Sequence, residues 1–188
     1  ALGRPDAFFG LDRFGGDGEP YSVLVVIPRA DKIAVLRAAA LHHKLQSQCS
    51  YILPLHDFGT QEGVYYWTTY LGPLSRAEPL HRINAPQPRR FWWALATCIA
   101  DLHHRGIAHT RLSEDTVAIS SSGEPKFFDF IGARPSDERD HKTIPVFDDY
   151  DAFVGLAERC GAADVVDMLH GGVGPSMSEV AQRLKSFR

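Results

Sequence analysis

The sequence predicts an α+β fold, with a small antiparallel sheet and one helix first and mainly helices afterwards. Two observations carry this prediction. Runs of aromatic and β-branched residues separated by glycine-rich turns dominate the first seventy positions, whereas apolar residues at helical spacing dominate the rest. The chain has 188 residues, 44% of them apolar and 23% charged, which fits one domain or one compact two-lobed unit.

The first part predicts the element order β-β-α-β-β. The two pairs of strands are separated by the turn-forming segments GGDGEP and FGTQEG. The predicted strands cover residues 8–14, 21–27, 51–57 and 64–71. A helix is predicted at 30–44, where apolar residues recur at helical spacing. These residues are Ile33, Leu36, Ala40 and Leu41.

The second part begins after Gly72 and Pro73 with a proline-rich stretch. A helix is predicted at 89–105, and Gly106 ends it at the usual position. A hairpin is predicted around the segment SSSGE, and Ser176 with Glu179 forms a capping box that starts the last helix. The hairpin strands are 116–119 and 125–128, and the remaining helices are 149–160, 162–170 and 176–187.

Charge, hydropathy and cysteine pattern exclude several classes of protein. The net charge of −3 gives no basic field for a nucleic acid, and the apolar stretch 91–100 is too short for a membrane span. No membrane insertion within these residues is expected. Cys49, Cys98 and Cys160 are scattered without C-x-x-C spacing, which argues against a disulfide framework or structural zinc and favours a reducing, cytoplasmic setting.

The run IAHTRLSEDTVAI, a turn and KFFDFIGAR resemble the catalytic and metal-binding segments of protein kinases. They are most similar to the bacterial relatives of eukaryotic serine/threonine kinases. Further similar segments are GEPYSVLVVIP, SYILPLHDFG, YYWTTYLG, DDYDAFVGLAERC and GPSMSEVAQRL. The resemblance implies a single protein-kinase-like domain with an N-lobe at 1–70 and a reduced, mainly helical C-lobe at 71–188.

The resemblance also implies that the groups needed for phosphoryl transfer are replaced. The strand lysine falls at Leu24, or at Val25 if the register slips, and its helix glutamate falls within 38–40, which we place at Ala40. In the catalytic loop Arg111 replaces the aspartate base, and a guanidinium has no lone pair to accept a proton. The loop lysine and the asparagine metal ligand are replaced by Ser113 and Thr116.

The motif residues that remain imply structural roles. Asp129 is the one acidic group left, as a residual candidate ligand, and a single carboxylate is a poor magnesium site. ATP and magnesium binding is therefore expected to be absent or weak. His109 and Phe130 resemble members of the hydrophobic column of kinases, and Asp149 resembles the helix aspartate that holds the catalytic-loop backbone.

The predicted function is that of a catalytically inactive pseudokinase that acts as a protein-binding or regulatory module. Its expected partner is another protein or a flanking domain. The candidate contact residues are Trp92 and Trp93, together with the helix at 30–44. The alternative is an atypical kinase or another nucleotide-using transferase with relocated catalytic groups. Its candidate groups are Asp115, Asp129 and Lys126.

Two other site patterns are incomplete. His103, His104 and His109 lack H-x-x-x-H spacing, so no metal site is predicted. Ser176, Asp149 and His109 carry the side chains of a hydrolase triad, yet no G-x-S-x-G elbow follows a strand. Ser176 is interpreted as a helix cap.

Overall fold

A computed structural model describes residues 6–12, 21–28, 30–70, 78–80, 83, 87–135, 144–170 and 176–186. The strands are β1 Asp6–Asp12, β2 Tyr21–Ile27, β3 Leu55–Gln61, β4 Val64–Tyr70, β5 Glu78–Pro79, β6 Ile107–Ala108, β7 Val117–Ile119, β8 Pro125–Phe127 and β9 Arg134–Pro135. The helices are α1 Lys32–Gln46, α2 Arg89–His104, α3 Ile144–Arg159, α4 Ala163–Leu169 and α5 Met177–Ser186. The predicted α+β class is confirmed.

The chain forms two compact units. The first unit contains Ala1–Arg82 and Asp115–Gly132, and the second contains Ile83–Glu114 and Ala133–Arg188. Both units are discontinuous in sequence, whereas the predicted lobes were continuous segments. The hairpin of β7 and β8 belongs to the first unit, because its backbone is hydrogen-bonded to residues just before β3.

The first unit contains a four-stranded antiparallel sheet in the order β1-β2-β4-β3. Both predicted hairpins are confirmed, but β3 begins later than predicted and continues through Phe58 to Gln61. The turn consists of Glu62 and Gly63 alone, both with positive φ, as two-residue hairpin turns require. Gly59 lies within β3 opposite Tyr66, and a Cβ there would lie 2.8 Å from the Tyr66 hydroxyl.

The predicted strand at 51–57 is partly wrong. Residues 51–53 instead join the β7–β8 hairpin: Phe127 N donates to Tyr51 O and Leu53 N donates to Phe127 O. Ile52 forms an isolated parallel bridge with Phe127. The hairpin itself is confirmed, and β5 adds a short third strand beside β7 that the sequence did not predict.

Helix α1 is confirmed, and it begins at an Asp31 cap whose carboxylate accepts from Ala34 N at 2.9 Å. The apolar residues that indicated the helix lie mainly on its exposed side, with Ile33 68% and Leu36 42% exposed. The side buried in the first unit is a different set. It consists of Val35, Ala38, Ala39, His42 and Leu45.

The helices of the second unit follow the prediction, with one early start. Gly106 has a φ of 72° directly after α2, which confirms it as the helix stop. Helix α3 begins at Ile144 rather than Asp149, because Pro145 lies in the first turn, where a missing amide proton costs nothing. The capping box is confirmed: Ser176 N donates to Glu179 Oε2, and Glu179 N donates to Ser176 Oγ.

Candidate functional site

In the second unit, the carboxylate of Asp149 binds the backbone that follows α2. Asp149 is fully buried on α3, and it accepts hydrogen bonds from His109 N at 2.8 Å and Thr110 N at 2.6 Å. The resemblance implied such a contact to a catalytic-loop backbone. That this segment derives from a catalytic loop stays a prediction.

A third hydrogen bond to this carboxylate comes from a side chain. His103, in the last turn of α2, donates from Nε2 to Asp149 Oδ2 at 2.8 Å. Both carboxylate oxygens are therefore hydrogen-bonded without water, as a buried charge requires. One side chain on α3 thus holds the end of α2 and the segment after it in a fixed arrangement.

The same bonds hold a strained residue. Thr110 has a φ of 57°, in the left-handed region that a β-branched residue rarely adopts. Such a conformation costs about 1–3 kcal/mol and persists only where neighbouring contacts impose it. The bond from its amide to Asp149 Oδ1, at 2.6 Å, is one such contact.

The residues beside Thr110 show what chemistry this segment offers. The His109 side chain is buried, whereas Arg111 and Ser113 are half-buried. Arg111 is cationic and cannot act as a base. Farther along, Glu114 accepts from Arg159 Nε at 3.0 Å with each carboxylate oxygen, so the segment is tied a second time to α3.

In the first unit, Asp129 and Phe130 lie in a well-packed turn. Asp129 is buried, and its Oδ1 accepts from Ile131 N at 2.8 Å, which makes a local turn. Phe130 packs edge-on against His42 of α1 at 5.5 Å between ring centroids. Just before Asp129, the backbone carbonyl of Phe128 accepts from Trp67 Nε1 of β4 at 3.2 Å.

His42 is a site residue that the sequence interpretation missed. Its Nε2 donates to Leu53 O at 2.6 Å, and burial lowers its pKa from 6.5 to about 4, so the buried ring is neutral at pH 7. A signal was present, since His42 continues the spacing of Val35, Ala38 and Leu45. A histidine within such a pattern indicates a core histidine bonded to backbone.

Leu24 occupies the position that the resemblance gives to the phosphate-binding lysine. It is fully buried in β2, paired with Phe9 of β1 and Thr69 of β4. Val25, the alternative register, is half-buried and also carries no charge. Neither register places a cation there.

The assignment of the missing glutamate to Ala40 needs correction. Ala40 lies on the exposed side of α1, whereas Ala38 and Ala39 are buried on the side that contacts the sheet. An acid able to reach β2 from α1 would have to stand on that buried side. Ala38 and Ala39 are therefore the relevant positions, and both are apolar.

Of the other groups named by the alternative hypothesis, Asp115 is half-buried, and the Lys126 ammonium has two polar contacts. Lys126 donates from Nζ to Ser50 O at 2.7 Å and lies 3.7 Å from Glu124. The bond to Ser50 O joins the β7–β8 hairpin to the segment between α1 and β3. Thr116 is buried, and its carbonyl accepts from Phe128 N, so it contributes to the same packing.

The two tryptophans have different environments. Trp92 is fully buried, contacts Phe91 and Phe153 edge-on, and donates from Nε1 to Gln87 O. It is a core residue, so its assignment as a partner contact is wrong. Trp93 is half-buried and keeps that assignment as a prediction.

A groove of about 350 Å³ lies in the second unit between α3 and α4. Most of its lining belongs to the segment DDYDAFVGLAERC, but neither Asp149 nor any replaced catalytic position lines it. Its lining residues are Tyr150, Asp151, Val154, Gly155, Glu158, Leu169 and His170.

Within the described ranges, no three His, Cys, Asp or Glu side chains are grouped for a metal ion. None of the described helices is both long and apolar enough to cross a membrane.

Comparison with known proteins found no family model that matches the chain and no match among curated proteins. The kinase-like assignment therefore rests on the motifs of this sequence and on the local geometry described above.

Proposed function

We propose that this chain is a catalytically inactive, protein-kinase-like protein that acts as a protein-binding or regulatory module. Two local arrangements support the fold assignment. Asp149 holds the backbone of the segment that resembles a catalytic loop, and Phe130 packs against α1 beside the segment that resembles a metal-binding motif.

The observation that carries the proposal is Leu24. Phosphoryl transfer consists largely of positioning the phosphates and stabilising their charge, and a strand lysine supplies part of that charge in kinases. Here the position is filled by a leucine with no exposed surface. The apolar side chain is part of the core and offers no charge to a phosphate.

Other substitutions remove independent parts of the same chemistry. Arg111 stands where a proton acceptor is needed, and Ala38 and Ala39 occupy the inward side of α1. Asp129 uses one carboxylate oxygen to close its own turn. The proposal therefore includes absent or weak binding of ATP and magnesium, and function through contact with another protein or a flanking domain.

A cytoplasmic setting in a bacterium belongs to the same proposal. It rests on the family resemblance and on the cysteines. None of Cys49, Cys98 and Cys160 forms a disulfide, which is typical of proteins in a reducing environment.

Thermal unfolding with ATP and magnesium tests the proposal. A ligand at about 100 times its Kd adds about 2.7 kcal/mol to the free energy of unfolding, which a melting curve resolves readily. We expect no shift at millimolar nucleotide. A phosphotransfer assay on a generic protein substrate, with Asp129→Ala as the control, is expected to show no signal above heat-killed protein.

Restoring single groups sharpens the test. Because catalytic residues act as a unit, Arg111→Asp alone is expected to give no kinase activity. Activity from that one change, or wild-type phosphotransfer lost in Asp129→Ala, would contradict the proposal.

A further inference from the structure

The outward side of α1 carries an apolar stripe where a surface helix is normally polar. Ile33 and Leu36 are 68% and 42% exposed, and Ala40 is exposed one turn farther on. These positions follow i, i+3, i+7 spacing, so they line up along the helix. They lie opposite the buried side described above, so α1 is apolar on both sides.

The same outward side is positively charged. Among its fifteen residues α1 has no aspartate or glutamate. Helical periodicity places Arg37 and Lys44 along one edge of the stripe and Lys32 along the other, and all three are exposed. None of these three cations forms an ion pair within the described ranges. A positive helix stands out in a chain whose net charge is −3.

We infer that the outward side of α1 is a docking site for an acidic amphipathic helix of a partner protein. This inference rests on the proposed function and names the partner chemistry for it. A narrow stripe with three-to-four-residue spacing matches the apolar side of one helix laid along it. Carboxylates beside that partner's apolar residues would meet cations on both edges of the stripe.

A membrane surface fits these observations less well. Helices that bind lipid usually insert a wide apolar side rich in Trp, Phe and Leu. The exposed stripe of α1 offers two large aliphatic side chains and no aromatic one.

The test uses a displayed library of one helical peptide. Its apolar face is fixed as leucine, and its flanking positions vary among Glu, Lys and Ser. Selection on the wild-type chain is expected to enrich glutamate at the flanking positions. Selection on the triple variant Lys32→Glu, Arg37→Glu, Lys44→Glu is expected to enrich lysine instead.

Affinities of the selected peptides, measured by fluorescence anisotropy, locate the site. The double variant Ile33→Ser, Leu36→Ser is expected to weaken binding about tenfold or more, because apolar anchors dominate such contacts. Val64→Ser is the matched control, since Val64 is 50% exposed on β4, and Lys185→Glu is the charge control on α5. Both controls are expected to bind as the wild type does.

Three results would overturn the inference. The first is enrichment of peptides without a glutamate bias, and the second is wild-type affinity in the Ile33→Ser, Leu36→Ser variant. The third is a lower apparent Kd for vesicles of equal parts phosphatidylcholine and phosphatidylserine, measured by sedimentation, than for any selected peptide. Phosphotransfer measured on the same samples separates the two proposals. Activity would overturn the inactive assignment alone, whereas loss of the charge bias would overturn the α1 site alone.

Discussion

The segment around Asp149 and the strand around Leu24 differ in the polarity of their buried side chains. Asp149 is a fully buried charge whose oxygens accept three hydrogen bonds from protein groups. Leu24 is equally buried, yet it is aliphatic at the position where the proposed resemblance to kinases implies a lysine. The polar group that fixes a backbone is present, whereas the polar group that would contact a phosphate is absent.

The contrast has a physical explanation in the cost of burying charge. A buried charge is tolerated only when it is fully hydrogen-bonded, and a position without a ligand gains stability by becoming apolar. Under the proposed function, a hydrogen-bonded Asp149 beside an apolar Leu24 is what a module that must fold, and need not bind nucleotide, is expected to have.

The largest effect is expected from returning a charge to the strand. Leu24→Lys removes a core side chain and buries an ammonium without an acidic partner, so we expect a loss of about 5 kcal/mol in the free energy of unfolding. Urea denaturation measures it. Val25→Lys at the half-buried neighbouring position is the control and should cost far less. A cost below about 1 kcal/mol for Leu24→Lys would show that the position can reach water.

Removing the charge at the other region should cost somewhat less. Asp149→Ala leaves two backbone amides and one imidazole without their acceptor, at about 1–3 kcal/mol for each buried group, so we expect a loss of about 4 kcal/mol. Asp148→Ala, at the exposed neighbouring position, should change stability by less than about 0.5 kcal/mol. Equal effects of the two variants would remove the contrast between the regions.

Local sequence patterns predicted most elements of this fold but not their faces. The apolar spacing of α1 indicated a helix, yet the sheet packs on the side where alanines and His42 stand, because small side chains allow close approach. Gly59 suggested a turn, whereas it allows Tyr66 to lie across the strand. In both cases the deciding contact comes from a distant segment.

The candidate site was less predictable for the same reason. Asp149 and its partners His103, His109 and Thr110 are about forty residues apart, and no local pattern links them. The resemblance to kinases supplied that connection. It did not supply the exposure of Ala40 or the burial of Trp92, which depend on the packing of this particular chain.

The next prediction concerns pH and His42. Its pKa is about 4 when folded and 6.5 when free, so the unfolded state binds the proton first as the pH falls. The neutral His42 ring therefore gives its full contribution to the free energy of unfolding above pH 6.5. That contribution falls by about 3 kcal/mol between pH 6.5 and 4.

Urea denaturation across this range should show the loss in the wild type. His42→Gln, whose amide can still donate to Leu53 O, has no imidazole to titrate and should lose less stability over the same range. Carboxylates that also titrate there are common to both proteins, so their effect cancels in the comparison. His43→Gln changes an exposed neighbour and should follow the wild type. Parallel curves for wild type and His42→Gln would mean that His42 is solvated or that another group controls the response.

The smallest effect concerns the backbone that Asp149 holds. Thr110 and Gly106 both have positive φ, at 57° and 72°, but only Gly106 suits that conformation. Thr110→Gly relieves about 1–3 kcal/mol of strain and loses about 0.5–1 kcal/mol to the greater freedom of the unfolded chain, so we expect a net gain of about 1 kcal/mol. Gly106→Ala should move stability about as far in the opposite direction.

Thr110→Ala distinguishes backbone strain from loss of the threonine side chain. It keeps a Cβ at positive φ, so it should gain much less than Thr110→Gly when both are measured by thermal and urea unfolding. Combining Thr110→Gly with Asp149→Ala tests whether the carboxylate maintains the strained conformation. Because Asp149 is then no longer there to impose it, the glycine should add less in that background than in the wild type. Strictly additive effects would mean that the strain at Thr110 is imposed by something other than Asp149. The statement that Asp149 fixes this backbone, on which the comparison with Leu24 depends, would then be wrong.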